Sequence, residues 1–182
     1  TIENLPEISD VSSILKAMRA LGAQIRMINK TTVEIDPTNV NSFVVSKQMA
    51  EGMRASSYFL GALLGRMGRA RVAPPGGCDF GTRPIDQHIK GFEALGAKVT
   101  FESGMVEARS QKLSGSSIYL DVVSVGATIN IMLAAARVRG LTVIENAARE
   151  PHIVDLANFL NSMGANIMGA GTSVIKIRGV EH

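Results

Sequence analysis

Four short stretches of the sequence hold the residues that could do chemistry. Pro74-Pro75-Gly76-Gly77-Cys78-Asp79-Phe80-Gly81 carries the chain's single thiol. Two prolines followed by two glycines can continue neither strand nor helix, so the stretch is an exposed loop with Cys78 near its tip. Free cysteine is ordinarily buried like a small hydrophobe. On composition alone, an incidental loop cysteine is the competing reading. Nearby arginines shift the balance, because guanidinium groups favour thiolate and make Cys78 a candidate nucleophile or, protonated, a general acid. Arg83-Pro84-Ile85-Asp86 opens the next helix, where outward backbone N–H groups stabilise anions. A solvated Arg83 and a dipole-complementing Asp86 are the plain alternatives. Val123-Ser124-Val125-Gly126-Ala127-Thr128 precedes an apolar helix. There Ser124 can cap and Gly126 admits a close ligand, though the lysine and spacing of a P-loop are absent. Met53-Arg54-Ala55-Ser56-Ser57 places Arg54 in the first turn of a helix predicted over 53–67, where a cation opposes the dipole and hints at an anionic ligand. Grouped together, these features suit a substrate with more than one phosphate or carboxylate.

The elements that must position them repeat along the chain. Leu21-Gly22-Ala23, Leu95-Gly96-Ala97 and Met163-Gly164-Ala165 each close an apolar-periodic stretch that has a proline near its start: Pro6, Pro84 or Pro151. Proline in the first turn and glycine past the last are helix start and stop signals, so helices are predicted over 7–21, 85–95 and 152–163. Two strands follow each: 24–27 and 32–35, 98–101 and 105–109, 166–168 and 174–178. The second and third copies add an earlier helix and strand, 53–67 with 69–73 and 127–137 with 141–145, and leading strands at 42–45 and 117–120. The unit reads βαβαββ, with repeats at about 1–40, 41–115 and 116–182 in a single 182-residue domain. The first copy holds only its second half, from a strand-like Thr1-Ile2-Glu3, and Ile2-Glu3-Asn4 repeats Ile144-Glu145-Asn146. The expectation is that the natural protein begins earlier, by about 35 residues on the spacing of the other copies.

Composition narrows the function classes. Hydrophobic residues are 46 % and charged ones 19 %, which places the chain among globular proteins. One cysteine excludes an internal disulfide and a four-cysteine zinc site, and fits a reducing compartment, the cytoplasm. His88 and His152 lie on the second helices of their repeats without metal-ligand spacing, and are read as surface or interface residues. Met18, Met53, Met67, Met132 and Met163 are read as core filling. A net charge of +3 and eight aromatics argue against a nucleic-acid partner. No apolar run reaches a membrane span, and the acidic start is unlike a signal peptide.

At these residues the chain resembles the UDP-N-acetylglucosamine enolpyruvyl transferases of peptidoglycan synthesis. The likeness covers essentially the whole chain. Its most specific stretches are Met53–Ser56, Pro75–Cys78, Gly81–His88, Ser124–Thr128 and Glu145–Pro151. It implies an α/β fold, the inside-out α/β barrel of βαβαββ repeats with helices inside and sheets outside, here two complete repeats and a partial first one. It implies transfer of the enolpyruvyl group of phosphoenolpyruvate to the 3′-hydroxyl of UDP-N-acetylglucosamine, without cofactor or metal. Cys78 matches the catalytic loop cysteine, which protonates the enol carbon and is alkylated by fosfomycin. Arg54 and Arg83 match arginines that hold the small substrate. The segment Arg83, Pro84, Ile85, Asp86 and Gln87 matches the part that also contacts the uracil end. Val123, Ser124, Val125 and Gly126 match the diphosphate-binding turn. In the family, a Lys-Asn pair lies upstream of Thr1. An aspartate base and a further arginine belong to a second domain, expected after His182, which would be this chain's intramolecular partner. On that expectation the fragment alone is inactive. Two other readings stay open: transfer to shikimate-3-phosphate, which the loop cysteine argues against, and a non-catalytic nucleotide-sugar binder of the same fold.

Overall fold

The structure, a computed structural model, describes residues 1–50, 53–74 and 85–180, with the side chain of Arg54 outside that description. Two four-stranded sheets and one two-stranded sheet flank a set of packed helices. The first unit contains α1 (Ser9–Ala20), β1 (Gln24–Asn29) and β2 (Thr32–Asp36). The second contains β3 (Val44–Val45), α2 (Lys47–Ala50), a 3₁₀ turn at Arg54–Ser57, α3 (Tyr58–Met67), β4 (Arg69–Val72), α4 (Asp86–Ala94), β5 (Lys98–Glu102) and β6 (Met105–Arg109). The third contains β7 (Ser117–Tyr119), α5 (Val125–Ala135), β8 (Leu141–Glu145), α6 (Pro151–Ser162), β9 (Asn166–Met168) and β10 (Val174–Arg178).

The two larger sheets share one topology. β3-β4-β6-β5 and β7-β8-β10-β9 each pair their first two strands parallel and the rest antiparallel. The predicted βαβαββ unit is therefore present twice. The partial first copy is also present: Ile2 bridges Val33 antiparallel, as Ile144 bridges Ile175 in the third. Asn4 and Asn146 occupy the same place in their copies, and both adopt left-handed backbone at φ 59° and 57°. Asparagine tolerates that conformation, and at the third copy its side-chain amide donates to the Leu120 carbonyl at 2.8 Å, tying β8 to the end of β7.

Helices lie inside because of their sequences. VGATINIMLAA in α5 is apolar all round, and eight of its eleven residues are buried, so it can only be a central helix. α3 crosses it closely. Gly61 and Gly65, one turn apart, sit against Asn130 and Ala134, and a Cβ at Gly65 would lie 2.7 Å from the Ala134 carbonyl oxygen. The Gly61 N–H donates to Asn130 Oδ1 at 2.8 Å, satisfying a polar side chain that would otherwise be costly to bury. One hydrophobic cluster runs from Ala17 and Leu21 through Leu64 and Phe92 to Ile175 and Ile177, joining all three repeats.

Three expectations need correction. Residues 53–67 are not α-helical throughout: Arg54–Ser57 winds as a 3₁₀ turn that runs directly into α3, and the short α2 before it carries no strong sequence signal. Met163 is exposed rather than core filling, because it follows the last turn of α6 beside Gly164. His88 is buried, not a surface residue.

Candidate functional site

Every parallel strand hands the chain to a helix at its C-terminal end, where α/β proteins place ligands. The Arg54 turn follows β3, residues 73–85 follow β4, and residues 120–124 follow β7. Cys78, Arg83 and Pro84 lie outside the described residues. What the structure does show is the frame to either side of them.

Two helix starts are joined there. Ile85 is the N-cap of α4, and Asp86, Gln87 and His88 form its first turn. Ser124 is the N-cap of α5, its hydroxyl accepting from the Ala127 N–H at 3.3 Å. Gln87, buried, connects the two. Its Oε1 accepts from the Asp121 N–H at 2.9 Å, and its Nε2 donates to Asp86 Oδ2 at 2.8 Å and Asp121 Oδ2 at 3.3 Å. Lys90, a turn further along α4, pairs with Asp121 Oδ1 at 2.7 Å. These donors hold both carboxyls below the usual aspartate range: Gln87 first for Asp86, Lys90 and then Gln87 for Asp121. The aspartates thus remain ionised and keep the two helix starts locked together.

Behind this junction lies His88. Its ring packs against Gly126, where a Cβ would lie 3.0 Å from Nε2, so any larger residue would make the ring give way by a few tenths of an ångström. Burial pushes the imidazole pKa down, opposed by the Asp86 charge, and Nδ1 has no hydrogen-bond partner among the described residues. Thr128 anchors the next turn: its hydroxyl donates to the Ser124 carbonyl at 2.8 Å and accepts from the Ala148 N–H at 3.1 Å. Val122 and Val123 stand exposed, and Ser56, fully buried within the Arg54–Ser57 turn, has no partner for its hydroxyl among the described residues.

The structure therefore joins the start of α4 to the segment that leads into α5, through Gln87 with Asp121 and His88 with Gly126. It adds Asp121 and His88, which sequence reasoning missed. Asp121 falls three residues before the Ser124 cap with no motif of its own. For His88 the early signals were its place at the end of the Gly81–His88 stretch and on the second helix of its repeat, neither of which shows burial. The arrangement sets the N-termini of α4 and α5 beside each other, each carrying partial positive charge, with the Asp86 carboxyl accepting from backbone N–H groups at the start of α4 and Ser124 from that of Ala127. Among the described residues, no group of carboxylates, histidines or cysteines could hold a metal.

Comparison with known proteins agrees with the fold. The model of the EPSP synthase family (3-phosphoshikimate 1-carboxyvinyltransferase) matches residues 1–182. This chain belongs to the EPSP synthase family. Within it, the chain is 59 % identical over 180 residues to UDP-N-acetylglucosamine 1-carboxyvinyltransferase 2 of Clostridium acetobutylicum, covering 99 % of this chain and 43 % of that protein. It is 54 % identical over 182 residues to the Bacillus subtilis protein of the same name, covering 100 % and 42 %. The chain thus spans less than half the length of these curated relatives. Among solved structures, the enolpyruvyl transferase NikO from Streptomyces tendae superposes with a TM-score of 0.82 at 24 % identity, covering 98 % of this chain and 42 % of that one. EPSP synthase from Acinetobacter baumannii gives 0.66 at 22 %, covering 96 % and 40 %. Both show the enolpyruvyl transferase fold, whose sheets here stay separate. None of the described helices is long and apolar enough to cross a membrane.

Proposed function

We propose that this chain carries the thiol-bearing part of an enzyme that moves the enolpyruvyl group of phosphoenolpyruvate to the 3′-hydroxyl of UDP-N-acetylglucosamine, releasing phosphate. The observation that carries the reading is the Gln87–Asp121 connection, which sets the N-termini of α4 and α5 side by side. An anionic nucleotide-sugar has a natural seat there: its diphosphate on the Val123–Gly126 turn, its base against the Arg83–Gln87 segment and the exposed Val122 and Val123. The names of the close relatives support this substrate.

The chemistry assigned to the residues balances simply. Cys78 gives a proton to the methylene carbon of phosphoenolpyruvate while the sugar hydroxyl adds to its central carbon. Phosphate then leaves, and the methyl group returns a proton. Positive charge at the central carbon and negative charge on departing phosphate both call for fixed cations and N–H donors, the roles assigned to Arg54, Arg83 and the helix starts. The base for the hydroxyl is assigned to a second domain of the same protein. The reading calls for no cofactor and places the reaction in the cytoplasm, as an early step of peptidoglycan synthesis, where Cys78 stays reduced.

The test is phosphate release by the full-length protein with phosphoenolpyruvate and one acceptor at a time. Release with UDP-N-acetylglucosamine and not with shikimate-3-phosphate is expected. Release with shikimate-3-phosphate alone reassigns the acceptor, and release with neither points to a non-catalytic binder.

A further inference from the structure

The opposite end of the second sheet carries a feature that the transfer reaction does not use. Arg69 at the start of β4 lies directly across from Arg109 at the end of β6, and Arg109 across from Lys98 at the start of β5. Residues opposed in an antiparallel pair point to the same face, so three cations form one row, all exposed. Like charges directly opposed on neighbouring strands destabilise a sheet. The row has one carboxylate to offset it. Buried Glu107 accepts from Arg69 at 2.9 and 3.0 Å, and the Arg69 guanidinium lies 4.3 Å from the Phe43 ring centre. Lys98 and Arg109 make no ion pair among the described residues.

Cations near helix C-termini often serve to complete the helix ends, but that need is already met. The Gly68 carbonyl, after α3, accepts from the Ser110 N–H at 2.8 Å, and the Gly96 carbonyl, after α4, accepts from the Ser110 hydroxyl at 2.8 Å. The third sheet confirms that the repeat does not require the row: Leu141, Arg178 and Asn166 stand at the matching places, with one cation among them. The row borders a depression of about 540 Å³ lined also by Gly68, Ser110 and Gln111 and by no carboxylate. That volume lies within the range of small-ligand sites. A second depression of about 250 Å³ shares Gly68, Ser110 and Gln111 and brings Lys112.

We propose that the Arg69–Arg109–Lys98 row is a binding site for small anions with linked phosphates, separate from the Ser124 turn. No residue lining the depression belongs to α4, to α5 or to the Val123–Gly126 turn. Three cations spread over two strand spacings, about 10 Å, match several linked charges better than one phosphate.

The test is titration of the full-length protein with tripolyphosphate, comparing the parent with Lys98→Ala/Arg109→Ala and with Arg178→Ala as the control from the third sheet. The double variant should weaken binding by at least about tenfold, since charge-assisted contacts are the strong ones, and Arg178→Ala by less than about twofold. ATP in place of tripolyphosphate separates two sources of the same chemistry: tighter binding assigns the site to a nucleotide, equal binding to a bare phosphate chain. The double variant should melt no lower than the parent, because cross-strand repulsion is relieved. An unchanged Kd in the double variant overturns the proposal, as does a fall in Tm, which would make the row structural. Failure of tripolyphosphate to bind, with an acidic peptide binding instead, would overturn it in favour of a protein-docking face.

Discussion

The second and third repeats share strand order, strand direction and helix placement, yet they differ in what joins their middle strand to their second helix. Between β8 and α6 the chain needs only residues 146–150, and left-handed Asn146 closes that turn with a hydrogen bond to β7. Between β4 and α4 it spends residues 73–85, with Pro74 in the asparagine's place and Cys78 and Arg83 in the added length. A frame that folds with the short connection does not need the long one for stability. On the function proposed above, the extra residues are where chemistry is added to a repeat, the usual division between scaffold and loop. The helices that follow differ in the same sense. Gln87 of α4 is buried in a hydrogen-bonded junction, whereas Asp155, equally far from the closing Gly-Ala of α6, is exposed.

That contrast can be broken most severely where the two repeats meet. Gly61→Val forces a branched side chain into the backbone of α5. It should cost more than about 3 kcal/mol, or prevent folding altogether, because backbone cannot move aside as a side chain does; chemical denaturation measures this. Next comes Gln87→Ala, which removes the buried side chain that accepts from the Asp121 N–H and frees α4 from the segment leading into α5. A loss of about 1–3 kcal/mol is expected, with a raised KM for nucleotide-sugar, whereas Asp155→Ala should change stability by less than about 0.5 kcal/mol. Equal effects of the two would mean that the second repeat has no special junction.

A smaller effect is expected from Ser124→Ala, which removes the cap of α5 at a cost of about 1 kcal/mol, read from the same unfolding curves. The subtlest concerns pH. Burial depresses the His88 pKa, so below about pH 6.5 the unfolded chain takes up a proton that the folded chain refuses. Stability should therefore fall as pH drops through that value, and His88→Gln should flatten the slope. The lowered carboxyls of Asp86 and Asp121 act in a separate window, contributing stability above 3.8 and losing it as pH falls through their depressed values.

Much of this was legible in the sequence because the repeat writes itself in residues with strong local preferences. Glycines 22, 96 and 164 all take positive φ after their helices, at 109°, 93° and 101°, as a stop signal should. The strands 105–109, 141–145, 166–168 and 174–178 follow the expected bounds. The misses fall where tertiary contacts decide. The tighter 3₁₀ winding of Arg54–Ser57 ahead of α3 is not written in propensity. His88 looks like any polar residue on an amphipathic face until α5 covers it, and Asp121 acquires its partners only when α4 arrives beside β7. Ser124 was legible because an N-cap is local; the Gln87 junction, spanning 34 residues, was not.

The central claim is that the chemistry resides in the long connection of the second repeat and that the α4–α5 junction serves binding. Phosphate release and UDP-N-acetylglucosamine affinity should be measured together in the full-length protein and its Cys78→Ala variant. Release should fall by about 10²- to 10⁴-fold, the usual worth of a positioned proton donor, with the affinity essentially unchanged. Parallel loss of both, or full activity without the thiol, would contradict the account.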